Sequence, residues 1–367
     1  MMNTEELAER FKRFAFKECE GSSELYKQLS LEVADDRELL SLCLYAREGQ
    51  PVPNLLFGAV HYLLEQETDH PLSNFYTSFQ KEIRNEANAF PAFKDFCHLH
   101  KEQLIMLLQN KRVQTNEVRR CAYLYPLFCH IYRQTGKPLF LIEIGTSAGL
   151  QLFADEYSYS YGDGVEYENS EASVHISSHV RKGKLPADLL KENPSVQGRI
   201  GIDLHINDVT DPEDYNWLKA LIWPEHQERR KMFEEAAQHI IQNPPHLIEG
   251  DGVKELLNVV ENIPVGAVLC IFHTHVANQM PEKVKKELME NVDRFGETRD
   301  TYHIYNQVYD HCLHMDAYVN GKVQRQTIGE TDGHGRWFDW ELSIGEEWWD
   351  EYSYGILREE WTKNDKT

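Results

Sequence analysis

Four short apolar runs between residues 139 and 273, each closed by an acid, a glycine or a histidine, constrain this chain more than any other feature. Leu139–Ile142 leads into Glu143-Ile144-Gly145, Arg199–Ile202 into Asp203, His246–Ile248 into Glu249-Gly250-Asp251, and Ala267–Phe272 into His273. Runs of this length suit strands covered on both faces. Between the second and third, Met232, Phe233, Ala236, Ala237, Ile240 and Ile241 recur at helical spacing, and a second amphipathic helix follows Met280. Strand–helix–strand alternation of this kind makes a parallel sheet with crossover helices. Tyr302–Val308 reads as a further strand. His314–Val319 and Lys322–Ile328 read as a hairpin about Asn320-Gly321, a dipeptide suited to a type I′ turn. Trp337–Ile344 reads as one more antiparallel strand.

Upstream the texture is helical. Asn54–Gln66 sets Leu55, Leu56, Ala59, Val60, Leu63 and Leu64 on one face, and Lys101–Lys111 does so with Leu104, Ile105, Leu107 and Leu108. Thr115 or Asn116 reads as the N-cap of a helix interrupted by Pro126 and closed near Gly136. The expected organisation is an all-helical domain over residues 1–134, then an α/β domain over 135–367 with an insertion at about 157–197. Tyr157, Tyr159 and Tyr161 in that insertion, and Trp348-Trp349 near the end, read as packing residues.

Composition narrows the function classes. Lys+Arg total 38 against Asp+Glu 60, a net charge of −22, and no basic stripe is present to neutralise phosphates. The balance argues against nucleic acid and against an anionic membrane surface, and favours a small-molecule or protein substrate. Apolar runs such as Val265–Phe272 are too short to span a bilayer, and the N-terminal residues lack the apolar segment of a secretory signal. Seven scattered cysteines with no C-x-x-C fit reduced thiols, hence a cytoplasmic location. Oligomeric state is left open.

In open α/β sheets, ligands bind at the carboxyl ends of the strands, which directs attention to Glu143, Gly145, Asp203, Asp251 and His273. The turn Glu143-x-Gly145-Thr146-Ser147-Ala148-Gly149 admits three chemistries. A dinucleotide site wants three glycines around a pyrophosphate, and here only two occur, beside a carboxylate that would repel the anion. Gly145–Gly149 also satisfies G-x-S-x-G, the frame of a hydrolase nucleophile at Ser147, with Asp203 or Asp251 and a later histidine (His273, His275 or His334) in triad order. That elbow ordinarily follows several strands, whereas a helical region precedes this one. The third chemistry is S-adenosylmethionine, a cationic cofactor without phosphate. It wants backbone close by at a glycine turn and carboxylates for its cations and ribose hydroxyls. Glu143, Gly145, Thr146, Ser147 and Gly149 supply the turn, Asp203 the second acid, and Gly250-Asp251 the third.

The order Glu143/Gly145/Gly149, Gly201-x-Asp203, Glu249-Gly250-Asp251 and an apolar strand into His273 resembles the Rossmann-like S-adenosylmethionine-dependent methyltransferases over about residues 135–345. The resemblance implies a mostly parallel sheet closed by an antiparallel hairpin, and a methyltransferase with S-adenosylmethionine as cofactor. Asp203 lies well beyond the ~20 residues at which the ribose acid usually follows the turn, so the insertion intervenes. Ser147 replaces the usual middle glycine. The whole chain also resembles an uncharacterised bacterial protein family, through Gln114-Thr-Asn-Glu117, Glu143-Ile-Gly-x-Ser-Ala-Gly-Leu150, Gly201-Ile-Asp-Leu204 and Trp223-Pro-Glu225. His273 is the first candidate for a general base. The resemblance also implies that the helix before the first strand lies over the cofactor, so Glu117 or Asn116 at its start is expected to reach the site. His273-x-His275 with His303, His311 and His314 could ligate a metal, but with 17 histidines in the chain such clustering arises by chance, and no metal is expected. A serine hydrolase and a non-catalytic cofactor-binding module are the alternatives.

Overall fold

The structure, a computed structural model, describes residues 3–114, 116–167, 172–191 and 193–342. It divides into two compact units, one of residues 1–115 and 208–234, the other of residues 116–207 and 235–367.

The first unit is helical. It opens with α1 (Thr4–Phe14), α2 (Glu24–Asp35), α3 (Arg37–Cys43), α4 (Val52–Gln66), α5 (Phe90–Leu99) and α6 (Lys101–Asn110). Asn3 and Glu6 form a capping box at α1, Ser23 accepts from Tyr26 N at α2, and Asp36 accepts from Glu38 N and Leu39 N at α3. The apolar faces converge on Phe57 of α4, whose ring lies 4.5 Å from Tyr26, 5.7 Å from Phe93 and about 6 Å from Phe11 and Phe14. The next helix, α7 (Cys121–Thr135), belongs to the second unit, while α8 (Pro212–Ala220) and the start of α9 (Gln227–Gln242) return to the first. Trp217 donates to Arg112 O, Trp223 packs on Phe14 and Tyr26, and Glu225 accepts from Ser23 Oγ and Leu25 N. The Trp223-Pro224-Glu225 motif is thus a packing device of the helical unit.

The second unit is built on a seven-stranded, mostly parallel sheet: β1 (Leu139–Ile144), β2 (Val196–Asp203), β3 (His246–Glu249), β4 (Val268–His273), β5 (Thr301–Tyr305), β6 (Cys312–Val319) and β7 (Lys322–Glu330). Their spatial order is β3-β2-β1-β4-β5-β6-β7. The first five run parallel; β6 runs antiparallel to both β5 and β7. Asn320 and Gly321, at φ 52° and 74°, make the hairpin turn with both φ positive, as type I′ requires. On one face α10 (Gly252–Glu261) and α11 (Glu282–Gly296) bury Ile142, Ile144, Ile202, Leu269 and Ile271. On the other, Phe128 of α7 meets Phe272.

One expectation about the strands needs revision. The final strand is Trp337–Trp340, and its ladder is parallel, with His179–Gly183 of the insertion in a separate two-stranded sheet. The expected antiparallel pairing is reduced to a single bridge from Phe338 to Thr331, just past β7. Residues 343–344 and Trp348-Trp349 lie outside the described residues. The insertion also forms a three-stranded sheet of Ser158–Ser160, Glu166–Tyr167 and His175–Ser177. Tyr157, Tyr159 and Tyr161 are buried, with Tyr159 stacked between Tyr125 and Tyr161, which agrees with their reading as packing residues. No described helix is long and apolar enough to cross a membrane.

Candidate functional site

The strand order reverses between β1 and β4, the place where the carboxyl ends of an open α/β sheet leave a crevice. The glycine turn leaves β1 there. Gly145 N donates to Ile202 O at 2.8 Å, and Gly149 N to Thr146 O at 2.9 Å. Gly145, Ser147 and Gly149 all have positive φ, at 76°, 53° and 80°. Asp203, at the end of β2, fastens the turn: Oδ2 accepts from Ser147 N at 2.8 Å and Oδ1 from His205 N at 3.1 Å. Asn207 Nδ2 donates to Ser147 Oγ at 2.9 Å. The glycines answer to close packing of the chain on itself. A Cβ on Gly145 would stand 2.7 Å from Val276, and one on Gly201 would stand 2.6 Å from the Thr146 side chain.

Glu143 is buried in the β1 strand end and accepts from Thr146 Oγ1 at 2.7 Å. Burial pushes its carboxyl up to about 8; the Thr146 hydroxyl and nearby Arg120 oppose the rise, and neighbouring Asp203 adds to it. Asp203 pairs in register with Glu249 of β3, so two acids lie side by side at the strand ends, with Gly250 N donating to Asp203 O. Asp251 follows as the N-cap of α10, accepting from Val253 N at 3.1 Å and paired with Lys254. Its capping role is the one its type suits in any helix. The packing of α10 explains Gly252, where a Cβ would meet Ile144 at 2.7 Å.

A second polar group gathers around Glu117. The helix start expected at Thr115 or Asn116 is shifted: Glu117 itself caps a short 3₁₀ turn, Val118–Arg120, by accepting from Arg119 N, and α7 begins at Cys121. Thr115 lies outside the described residues. Buried Glu117 holds His334 Nδ1 at 3.3 Å from Oε2, and the His334 side chain is 38% exposed. Buried Arg120 donates to Gly333 O and to both oxygens of Thr274; Thr274 Oγ1 donates to Gln151, and Gln151 Nε2 to Glu117 O. The loop carrying His334 lies close because Gly335 packs against the Arg119 backbone, where a Cβ would meet Arg119 O at 2.5 Å. His275, at φ 60°, has its N–H on Asn306 Oδ1 at 2.7 Å. Burial, with Arg120 and His334 nearby, lowers the His275 imidazole to about 3.

His273 is not brought to this group. Glu143 is in register with Phe272, so the next side chain points through the opposite face of the sheet. There His273 is fully buried, 5.1 Å from the His303 ring and 6.0 Å from Tyr305, and burial lowers it to about 3. Among the described residues no group of three or more His, Cys, Asp or Glu is placed to hold a metal. His334, one of several histidines considered for a triad, is the residue that sequence spacing could not single out, since nothing local marks it as Glu117's partner.

No curated protein and no solved structure matches the chain. A family model described as an uncharacterized protein conserved in bacteria (DUF2332) matches residues 8–340, most of the sequence, and the protein belongs to that family.

Proposed function

We propose that the second unit is a Rossmann-like fold that binds S-adenosylmethionine, and that the protein is a methyltransferase acting on a small molecule or a protein. The observation that carries this reading is the strand order β3-β2-β1-β4-β5, with Glu143, Asp203 and Glu249 at adjacent carboxyl ends around a turn of three positive-φ residues. The carboxyls of Asp203 and Glu249 suit a cationic ligand that bears hydroxyls. A carboxylate has about four acceptor positions, and Asp203, at the end of β2 beside the turn, is the acid placed to accept from ribose hydroxyls. Glu143, Gly145, Thr146, Ser147, Gly149 and Gly250 complete the binding set, beside Asp251, which serves as the N-cap of α10.

Bound, the cofactor supplies an electrophilic methyl group, and positioning does most of the work in such a displacement. The chain's own contribution is a proton acceptor. Glu117 Oε2, 3.3 Å from Nδ1, positions His334, whose Nε2 is the atom that takes the acceptor's proton where there is one. Arg120, tied to Thr274 and Gly333, holds the two loops of this group together. Irradiating the protein with S-adenosylmethionine labelled in its methyl group tests the reading: label recovered on a peptide spanning residues 143–151 is the expected result, and no labelling removes the proposal.

A serine hydrolase at Ser147 is the second reading, favoured by the positive φ of that residue within G-x-S-x-G. Covalent capture by a fluorophosphonate, abolished in Ser147→Ala, would support it. Since Ser147 Oγ is engaged by Asn207 rather than by a histidine among the described residues, no capture is the expected result.

A further inference from the structure

A cavity of about 350 Å³ lies wholly within the helical unit, lined by residues of α4, α8 and the start of α9 together with Thr68, Ser78 and Phe79. Its polar groups are set in one orientation by a buried histidine. His61 is fully buried and is lowered to about 3, first by burial and then by nearby Arg230, so it is neutral. Its Nδ1 lies 3.0 Å from Ala220 O and must carry the proton; its Nε2, 2.9 Å from Ser78 Oγ, therefore accepts the Ser78 hydroxyl hydrogen. The lone pairs of Ser78 Oγ are left as acceptors at the cavity.

Opposite charges line the same space. Arg230 hydrogen-bonds Glu65 through Oε1. Glu65 Oε2 takes no hydrogen bond among the described residues. The Lys219 side chain is only 18% exposed, yet its ammonium stands 3.6 Å from Glu234 and 3.9 Å from Glu65, with no hydrogen bond to either. Lys219 thus stands at ion-pair distance from both carboxylates without hydrogen-bonding either, so its N–H donors remain open to a ligand in the cavity it borders. The cavity offers an ammonium held only at ion-pair distance, a carboxylate oxygen that takes no hydrogen bond from the described residues, and an oriented hydroxyl acceptor beside them.

We propose that this cavity binds a compact zwitterion of the free amino acid type, its carboxylate on Lys219 and its ammonium on Glu65 Oε2 and Ser78 Oγ. Asn216, on the same helix as Lys219, completes the polar wall. The site is independent of the methyltransferase reading and lies in the other unit.

The test is calorimetric titration of the full-length protein with each standard L-amino acid. Propionate and methylamine serve as probes that carry only one of the two charged groups. At least one amino acid is expected to bind at micromolar to millimolar concentration, both single-group probes to bind at least tenfold more weakly, and Lys219→Gln to lose at least tenfold in affinity while keeping its melting temperature. Should that variant melt early, Asn216→Leu, which fills the wall without touching a charge, is expected to block binding in its place. No amino acid bound by the wild type, binding of propionate alone as strong as of the amino acid, or undiminished binding in the folded variants would overturn the proposal.

Discussion

At the scale of single residues, the candidate site is a set of close approaches that permit little substitution. Gly201 has Thr146 against its Cα, and Thr146 in turn donates to Glu143. Gly201→Ala would push the Thr146 side chain off the buried carboxylate. We expect a loss of roughly 1–3 kcal/mol, typical of overpacking in a tight interior, measured by chemical denaturation; a change within error would show that the turn has room to move. Glu143 allows a sharper test through pH. Its folded pKa, about 8, lies above its value of about 4.5 in an unfolded chain. The folded state therefore binds the extra proton, and the stabilisation is complete below the unfolded value and lost as pH rises through 8. Glu143→Gln, which is permanently neutral, is expected to flatten the decline in melting temperature between about pH 5 and 8. An unchanged decline would mean that the carboxyl is ionised in the fold.

At the scale of elements, the strands of the sheet were the most legible part of the chain. A parallel strand covered on both faces must be apolar for its whole length and must turn polar where it leaves the core. Leu139–Ile144 and Val268–His273 do this, which is why their ends stand out in a bare sequence. Asn320-Gly321 was equally plain, because few other dipeptides tolerate two positive φ angles. The strand Trp337–Trp340 could be located but not its partner, which the chain supplies from more than a hundred residues upstream. The site was half legible for the same reason. Glu143, Asp203 and the glycines lie at strand ends that pattern reveals. The pairing of Glu117 with His334 depends on two loops that only the fold brings together. Face, too, is invisible without register, and one residue's shift along β4 sends His273 to the side away from Glu143. Asp203 and Asp251 look alike in sequence but differ in work: one fastens the glycine turn, the other caps α10. Asp251→Ala is thus expected to cost only about 1 kcal/mol, as for the loss of an N-cap, without altering ligand binding. A large loss of binding in that variant would assign it to the cofactor.

For the whole molecule, the buried titrating groups predict a shape for stability against pH. His61, His130, His273, His275 and His303 are all held below the ordinary histidine value, with burial the leading cause in each case. The unfolded chain takes up these protons first, near pH 6.5. The stability they contribute is therefore present above that pH and lost as pH falls from about 6.5 towards 3. Removing one of them, as in His303→Phe, is expected to shift the acid midpoint to lower pH in a circular dichroism titration. A midpoint that moves upward would mean that the imidazole is charged in the fold. The helical unit has its own keystone in Phe57, and Phe57→Ala is expected to destabilise that unit by roughly 3–5 kcal/mol, as truncation of a buried aromatic does, seen as an early step in denaturant unfolding. The central claim concerns the other unit and is tested most directly by calorimetric titration with S-adenosylhomocysteine, with Asp203→Ala as control. Micromolar binding by the wild type, lost in the variant, is the expected result. No binding by the folded wild-type protein would contradict the account and leave the Gly145–Gly149 turn without its ligand.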